Sequence, residues 1–149
     1  MADTMQFDLV SPERNLVSVP VREVRLPGAE GDLTAMPGHA PAIVNLRPGL
    51  VTVVAADGTS TEFAVTGGFA EINADSVSLL AERGHPREEI TQEVYNDMLS
   101  EAHRSRRSVE DRREQLGEEA VTAAVKLVGD MVAMGTHIGL DPNQSTVPD

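Results

Sequence analysis

Residues 27–49 read PGAEGDLTAMPGHAPAIVNLRPG, and their reading decides the fold. The stretch holds four of the chain's nine prolines and four of its twelve glycines. Proline fixes φ and removes a backbone donor, and glycine supplies left-handed positions. Such density therefore spells tight turns joining short extended segments. Glu30 and Asp32 flank Gly31, so two carboxylates stand at a turn tip and Gly31 is expected at positive φ. Pro37-Gly38 is a turn dipeptide, and Pro41 pushes the His39-Ala40 segment before it towards extended backbone. Residues 42–46 form a short apolar strand, closed by Arg47-Pro48-Gly49. Turn chemistry this dense has two readings: a rigid connector that shapes a β-domain, or a surface presented to a partner.

On both sides of this stretch the pattern is that of short strands. Met5, Phe7 and Leu9 alternate with Gln6 and Asp8, as in a half-buried strand. Residues 16–26 are extended, with Val17, Val19 and Val21 on one face and Leu16, Val24 and Leu26 on the other parity. A bulge or bend near Pro20 would explain that change of phase. Asp57-Gly58 between residues 51–55 and 61–65 is a strong hairpin signal. Two further alternating runs surround Phe69 to Asn73 and Val77 to Ala81. Closely spaced short strands with turn signals between them predict a β-sandwich or barrel.

After Ala81 the period changes. Residues 82–87 contain Gly84 and Pro86 and read as a linker. Ile90, Val94, Met98 and Ala102 then make one stripe of an amphipathic helix. Residues 104–108 are polar and predict a turn, with Ser108 and Asp111 as a weakened capping box for a second helix. Leu116, Ala120, Ala124, Leu127, Met131 and Met134 mark that helix, Gly117 and Gly129 weaken it, and Gly135 is its expected stop. The predicted fold class is α+β, an N-terminal β-sandwich followed by an antiparallel two-helix hairpin. The expected division is residues 1–86, 87–138 and a tail, 139–149, expected to be disordered.

Composition narrows the function. With aromatics at 3% and no Trp, the core must be built from Val, Leu, Ile, Ala and Met. The net charge of −12 argues against nucleic acid and anionic lipid as direct partners. No Cys is present, which excludes disulfides and thiolate metal sites. No apolar run approaches a membrane span, and no signal peptide is expected at MADTMQFDLV. The expectation is a soluble protein that reaches a membrane only through another subunit. His39, His85, His103 and His137 lie in different elements and have no ligand spacing, so no metal site is expected. A stand-alone acidic enzyme built around Glu30, Asp32 and His39 is a further reading, and nothing in their spacing recommends it. Arg104, Arg106, Arg107, Arg112 and Arg113 form a basic cluster, read either as a solvated helix junction or as a contact for an acidic partner.

The stretch at 27–49, together with TGGFAEI at 66–72 and VSLLAE at 77–82, resembles the epsilon subunit family of bacterial F-type ATP synthases, the counterpart of mitochondrial delta. The resemblance covers residues 5–82 by motif and the helical part only by length and pattern. It implies a non-catalytic rotor subunit without cofactors, coupling rotation of the c-ring to the catalytic head through gamma. It also implies a place at the cytoplasmic face of the bacterial inner membrane, without lipid insertion. Carried over by position, Glu30, Gly31 and Asp32 fall on the ring-facing turn, and Ser11, His39 and Ile43 on the gamma-facing side. The family's hairpin can extend towards the alpha/beta head and block hydrolysis, which makes a mainly inhibitory role the alternative function. Some members bind ATP through Ile or Leu, Asp, two variable residues, Arg and Ala. Here the matching residues are Ile90, Thr91, Gln92, Glu93, Val94 and Tyr95, so the Asp, Arg and Ala are absent.

Overall fold

The computed structural model describes residues 3–142. These residues form nine strands: β1 (Met5–Val10), β2 (Asn15–Gly28), β3 (Gly31–Ala35), β4 (Ala42–Leu46), β5 (Gly49–Ala55), β6 (Ser60–Val65), β7 (Gly68–Ile72), β8 (Ser76–Ala81) and β9 (Gly84–Pro86). Helices α1 (Gln92–Asp111), α2 (Arg113–Leu116) and α3 (Glu118–His137) follow. The chain divides into two compact units, Met1–Arg87 and Glu88–Asp149.

The first unit is a β-sandwich whose two layers share β2. Residues 15–21 of β2 pair with β1, and β1 continues the layer through β8 and β7 to β4. The distal half of β2 pairs instead with β3 and β5, and β5 leads on to β6 and β9. The change of partner coincides with the change of phase. Val21 is buried at one parity and Val24 and Leu26 at the other, and the β2–β5 register slips between Val21 and Glu23. The bulge expected near Pro20 is this one extra residue, which turns the strand over and lets it serve both layers. Val19, expected to share a face with Val21, is exposed. Phe7, Leu9, Val24, Leu26, Val51, Val65, Ile72, Val77 and Leu79 fill the space between the layers. At the Asp57-Gly58 hairpin, Thr59 N–H donates to Asp57 Oδ1 at 2.9 Å, which lowers the Asp57 pKa.

Residues 82–87 are not a linker. β9 extends the second layer along β6, and the Arg87 guanidinium pairs with Glu62. Three residues ending in Pro are too short to show a pattern, and Pro is tolerated at a sheet edge.

In the second unit the hairpin is displaced from its expected bounds. Residues 104–108 lie inside α1, because a polar run without Gly or Pro does not break a helix. Ser108 therefore caps nothing. Thr91 is the N-cap of α1, accepting the Val94 N–H at 3.2 Å. α1 ends at its C-cap, Arg112, and a second break follows at Gly117, at φ 88, between α2 and α3. Leu116, assigned by its spacing to the buried stripe, is exposed on α2. Tyr95, Met98, Leu99 and Ala102 of α1 and Val121, Ala124, Met131 and Met134 of α3 are the buried apolar side chains, and Ser100 and Gly135 are buried with them. Gly135 does not end α3. The helix closes in a Schellman motif, with Leu140 N–H donating to Gly135 O at 2.8 Å and Gly139 N–H to Thr136 O at 3.2 Å. Of the tail expected to be disordered, residues 139–142 are thus ordered. The Gln92 amide holds both backbone groups of Asp141, at 2.7 and 2.9 Å. Residues 143–149 lie outside the described residues.

Candidate interaction surfaces

The acidic turn is built by the β2–β3 connection. Gly28 pairs with Gly31, and Ala29-Glu30 form the turn between them. Gly31 has φ 142, a conformation that L side chains rarely adopt. Gly28 is excluded from change for another reason: a Cβ there would lie 2.4 Å from the Gly31 carbonyl oxygen. Glu30 and Asp32 are exposed, and Arg47, between β4 and β5, bonds to Asp32.

His39 sits at the other end of β3, roughly 17 Å along a five-residue strand. Its turn is closed by His39 N–H donating to Met36 O at 3.0 Å, and Gly38 N–H ties it to Ala74 O at 2.7 Å. The imidazole Nδ1 donates to the Ala40 carbonyl at 2.6 Å. The structure therefore does not bring Glu30, Asp32 and His39 into one cluster. Nor do any three metal-ligating side chains converge among the described residues.

Ile43, near His39 at the start of β4, is 75% exposed. Ser11 is elsewhere. It follows β1 at the Leu46–Gly68–Ala81 end of the layer, and it is buried, its hydroxyl donating to the Arg14 carbonyl. Ser11 shapes the β1–β2 turn, whereas Ile43 is presented.

Two apolar residues that sequence reasoning passed over join Ile43. Phe69 on β7 is 42% exposed and faces Leu80 on β8, which is 46% exposed. Ile43 opposes Glu71, two residues from Phe69, so the three run diagonally across β4, β7 and β8 on the outer face of the layer. The available signal was parity: Ala70 and Ile72 point inward, which leaves an aromatic at 69 pointing out. Beside the patch, over β1 and β2, Gln6, Ser18 and Asp8 form a hydrogen-bonded polar border. A contiguous apolar patch with a polar rim is the form of a protein interface.

The five arginines do not form a basic patch. Arg104, Arg106 and Arg107 lie in α1, where Arg106 pairs with Glu110 at 3.2 Å, and Arg113 pairs with Glu118 at 3.2 Å. Asp111, Glu114 and Glu119 add carboxylates among them, so no net positive surface results.

Residues 4–86 match the family described as the ATP synthase delta/epsilon chain, beta-sandwich domain. An ATP synthase epsilon chain of Paracoccus denitrificans is 76% identical over 148 residues, 99% of both chains. That of Rhodobacter capsulatus is 58% identical over 140 residues, 94% of this chain and all of the relative. The chain belongs to the ATP synthase epsilon-chain family.

The epsilon-chain relatives extend over the hairpin as well as the sandwich, whereas the family description covers only the sandwich. Among solved structures, a chain in the cryo-EM structure of the Euglena gracilis mitochondrial ATP synthase (OSCP/F1/c-ring) has the same fold, with a TM-score of 0.67. It is 20% identical, over 92% of this chain and 82% of that one. A chain in the Tetrahymena thermophila ATP synthase central stalk/c-ring structure matches at 0.58 with 16% identity, over 89% and 94%. No helix among the described residues is long and apolar enough to cross a membrane.

Proposed function

We propose that this chain is a rotor subunit in the central stalk of a proton-translocating F-type ATP synthase. It couples c-ring rotation to the catalytic head through gamma and has no catalytic centre or cofactor of its own. The observation that carries the reading is the exposed apolar diagonal of Ile43, Phe69 and Leu80, large side chains that a rigid sandwich leaves for a partner to cover. Gamma is the partner assigned to that face, with His39 at its edge and Ser11 contributing through the turn it shapes. The turn of Glu30, Gly31 and Asp32 is assigned to the polar loops of the c-ring. Sheets that share a continuous strand transmit torque as a packed body, since close-packed interiors deform little. The working location is the cytoplasmic face of the bacterial inner membrane, reached through these protein contacts.

Co-purification tests the reading. The tagged chain is expected to bring down gamma, and Phe69→Ser is expected to abolish that recovery without unfolding the sandwich. Failure of the wild-type chain to recover gamma would sink the assignment.

A further inference from the structure

The two turns at the acidic end of the sandwich are joined by the backbone, where Gly28 pairs with Leu46, and by one side chain. Arg47 Nη1 donates to the Gly28 carbonyl at 2.5 Å, and Nη2 donates to Asp32 Oδ1 at 2.5 Å. Backbone bonds run alongside: Ala29 N–H donates to Asn45 O at 2.8 Å and Arg47 N–H to Pro27 O at 3.0 Å. The Gly28 carbonyl and the Asp32 carboxylate are both acceptors and repel each other unless a donor stands between them. A planar guanidinium supplies two N–H groups in a fixed fork, which an ammonium cannot. The Asp32 side chain is otherwise well exposed, so the pair adds little to global stability. What it fixes is geometry. Glu30, at the tip of the same turn, has no hydrogen-bond or ion-pair partner among the described residues.

We propose that Arg47 is the positioning residue of the acidic turn. It matches the charge of Asp32, locks the β2–β3 turn to the β4–β5 turn, and leaves Glu30 as the uncompensated charge offered to the partner. The inference rests on the turn's assignment to the c-ring. It adds that the contact is preset rather than formed on binding, and that the partner supplies a cation or N–H donors for Glu30.

The experiment compares wild type, Arg47→Ala, Arg47→Lys and the double variant Glu30→Lys/Asp32→Lys. Amide exchange is read in the isolated full-length chain, and ATP synthesis driven by a proton gradient in the assembled enzyme. In Arg47→Ala the amides of residues 29–32 are expected to exchange on the order of tenfold faster, with the unfolding temperature unmoved. Coupled synthesis falls with it. Arg47→Lys reaches one acceptor at a time and lies between wild type and Arg47→Ala in both readouts. Unchanged exchange in Arg47→Ala overturns the proposal. So does a loosened turn with normal synthesis while the double variant uncouples. Normal synthesis in the double variant removes the ring contact itself, and with it the role of Arg47 there; loosened exchange in Arg47→Ala would then mark a purely structural brace.

Discussion

The ring of Tyr95 occupies the space a side chain at Gly135 would need. A Cβ built on Gly135 lies 2.0 Å from Tyr95 Cζ, and the Tyr95 hydroxyl donates to the Met131 carbonyl one turn earlier in α3, at 2.9 Å. Both residues are buried, and burial raises the Tyr95 pKa, which keeps the hydroxyl a donor. This is a knob-in-notch contact that joins the two long helices. Gly135→Ala gains about 1 kcal/mol of helix propensity, but overpacking a filled site costs about 1–3 kcal/mol, so net destabilisation is expected. Tyr95→Phe keeps the ring and loses one hydrogen bond, about 1 kcal/mol. Urea unfolding of the full chain checks both, and a more stable Gly135→Ala would contradict the contact.

Gly117 and Gly129 look alike in the sequence and should behave oppositely. Gly117 has φ 88 and ψ 165 at the α2–α3 junction, a region open to glycine almost alone. Gly117→Ala is expected to cost about 1–3 kcal/mol. Gly129 lies within α3 with open space where a Cβ would go, so Gly129→Ala should stabilise by about 1 kcal/mol. Thermal melts followed by circular dichroism give the two signs, and equal signs would refute the assignment of the break.

His103 is expected to make the hairpin acid-sensitive. Its Nδ1 is buried without a hydrogen-bond partner among the described residues, and burial first, then the Arg106 charge, hold its pKa below the ordinary value. The unfolded chain takes up the proton at about pH 6.5, whereas the folded chain resists it to lower pH. The stability contributed by neutral His103 is therefore fully present above that pH, is lost as pH falls below it, and levels off beneath the folded pKa. His103→Gln should flatten this part of the profile. Urea midpoints measured across that range test it, and an identical slope in the variant counts against the burial of Nδ1 as its cause.

The legible parts of the fold were those written in local periodicity. Met5, Phe7 and Leu9 alternate and are buried, and the phase change between Val21 and Val24 marks the register shift in β2, though not that β2 links both layers. What was illegible depends on distance in the chain. Nothing local shows that Arg47 reaches back to Gly28 and Asp32, or that Gly135 is small because of Tyr95. The helix junction was misplaced because Arg104 to Ser108 is polar, yet polarity alone leaves helix propensity intact. For the candidate surfaces, the Glu30–Asp32 turn could be read from its glycine. The outward parity of Phe69 and Leu80 became a surface only once β4, β7 and β8 were paired.

Ile43→Asp separates folding from assembly. Ile43 is exposed in the isolated chain, so the substitution should shift stability by less than about 0.5 kcal/mol. If gamma covers it, the new carboxylate is buried without a partner, at a cost of about 3–5 kcal/mol in binding. Titration of gamma against the wild-type and variant chains reads that loss directly. Undiminished affinity would place the gamma contact elsewhere.

Whether the hairpin inhibits ATP hydrolysis turns on what its open form could gain. Separating α1 from α3 breaks the Tyr95–Met131 bond and empties the notch at Gly135, and it frees Asp141 from Gln92. An open form must recover these losses through contacts with the catalytic head that the closed form lacks. The arginines of α1 and its junction stand among as many carboxylates, and past Arg113 the chain has only Lys126, itself paired with Asp130 at 2.7 Å. Little charge is left to attract an acidic target. The residues at Ile90 to Tyr95 also lack the nucleotide motif, so ATP should leave the unfolding midpoint of the isolated chain unmoved. A chain ending at Glu89 keeps β9 and the Arg87–Glu62 pair and should assemble normally. ATPase activity of that complex is expected to rise by less than about twofold, since no differential contact is lost. A many-fold rise would make the hairpin a true inhibitor and show that its open form finds partners beyond its own charges.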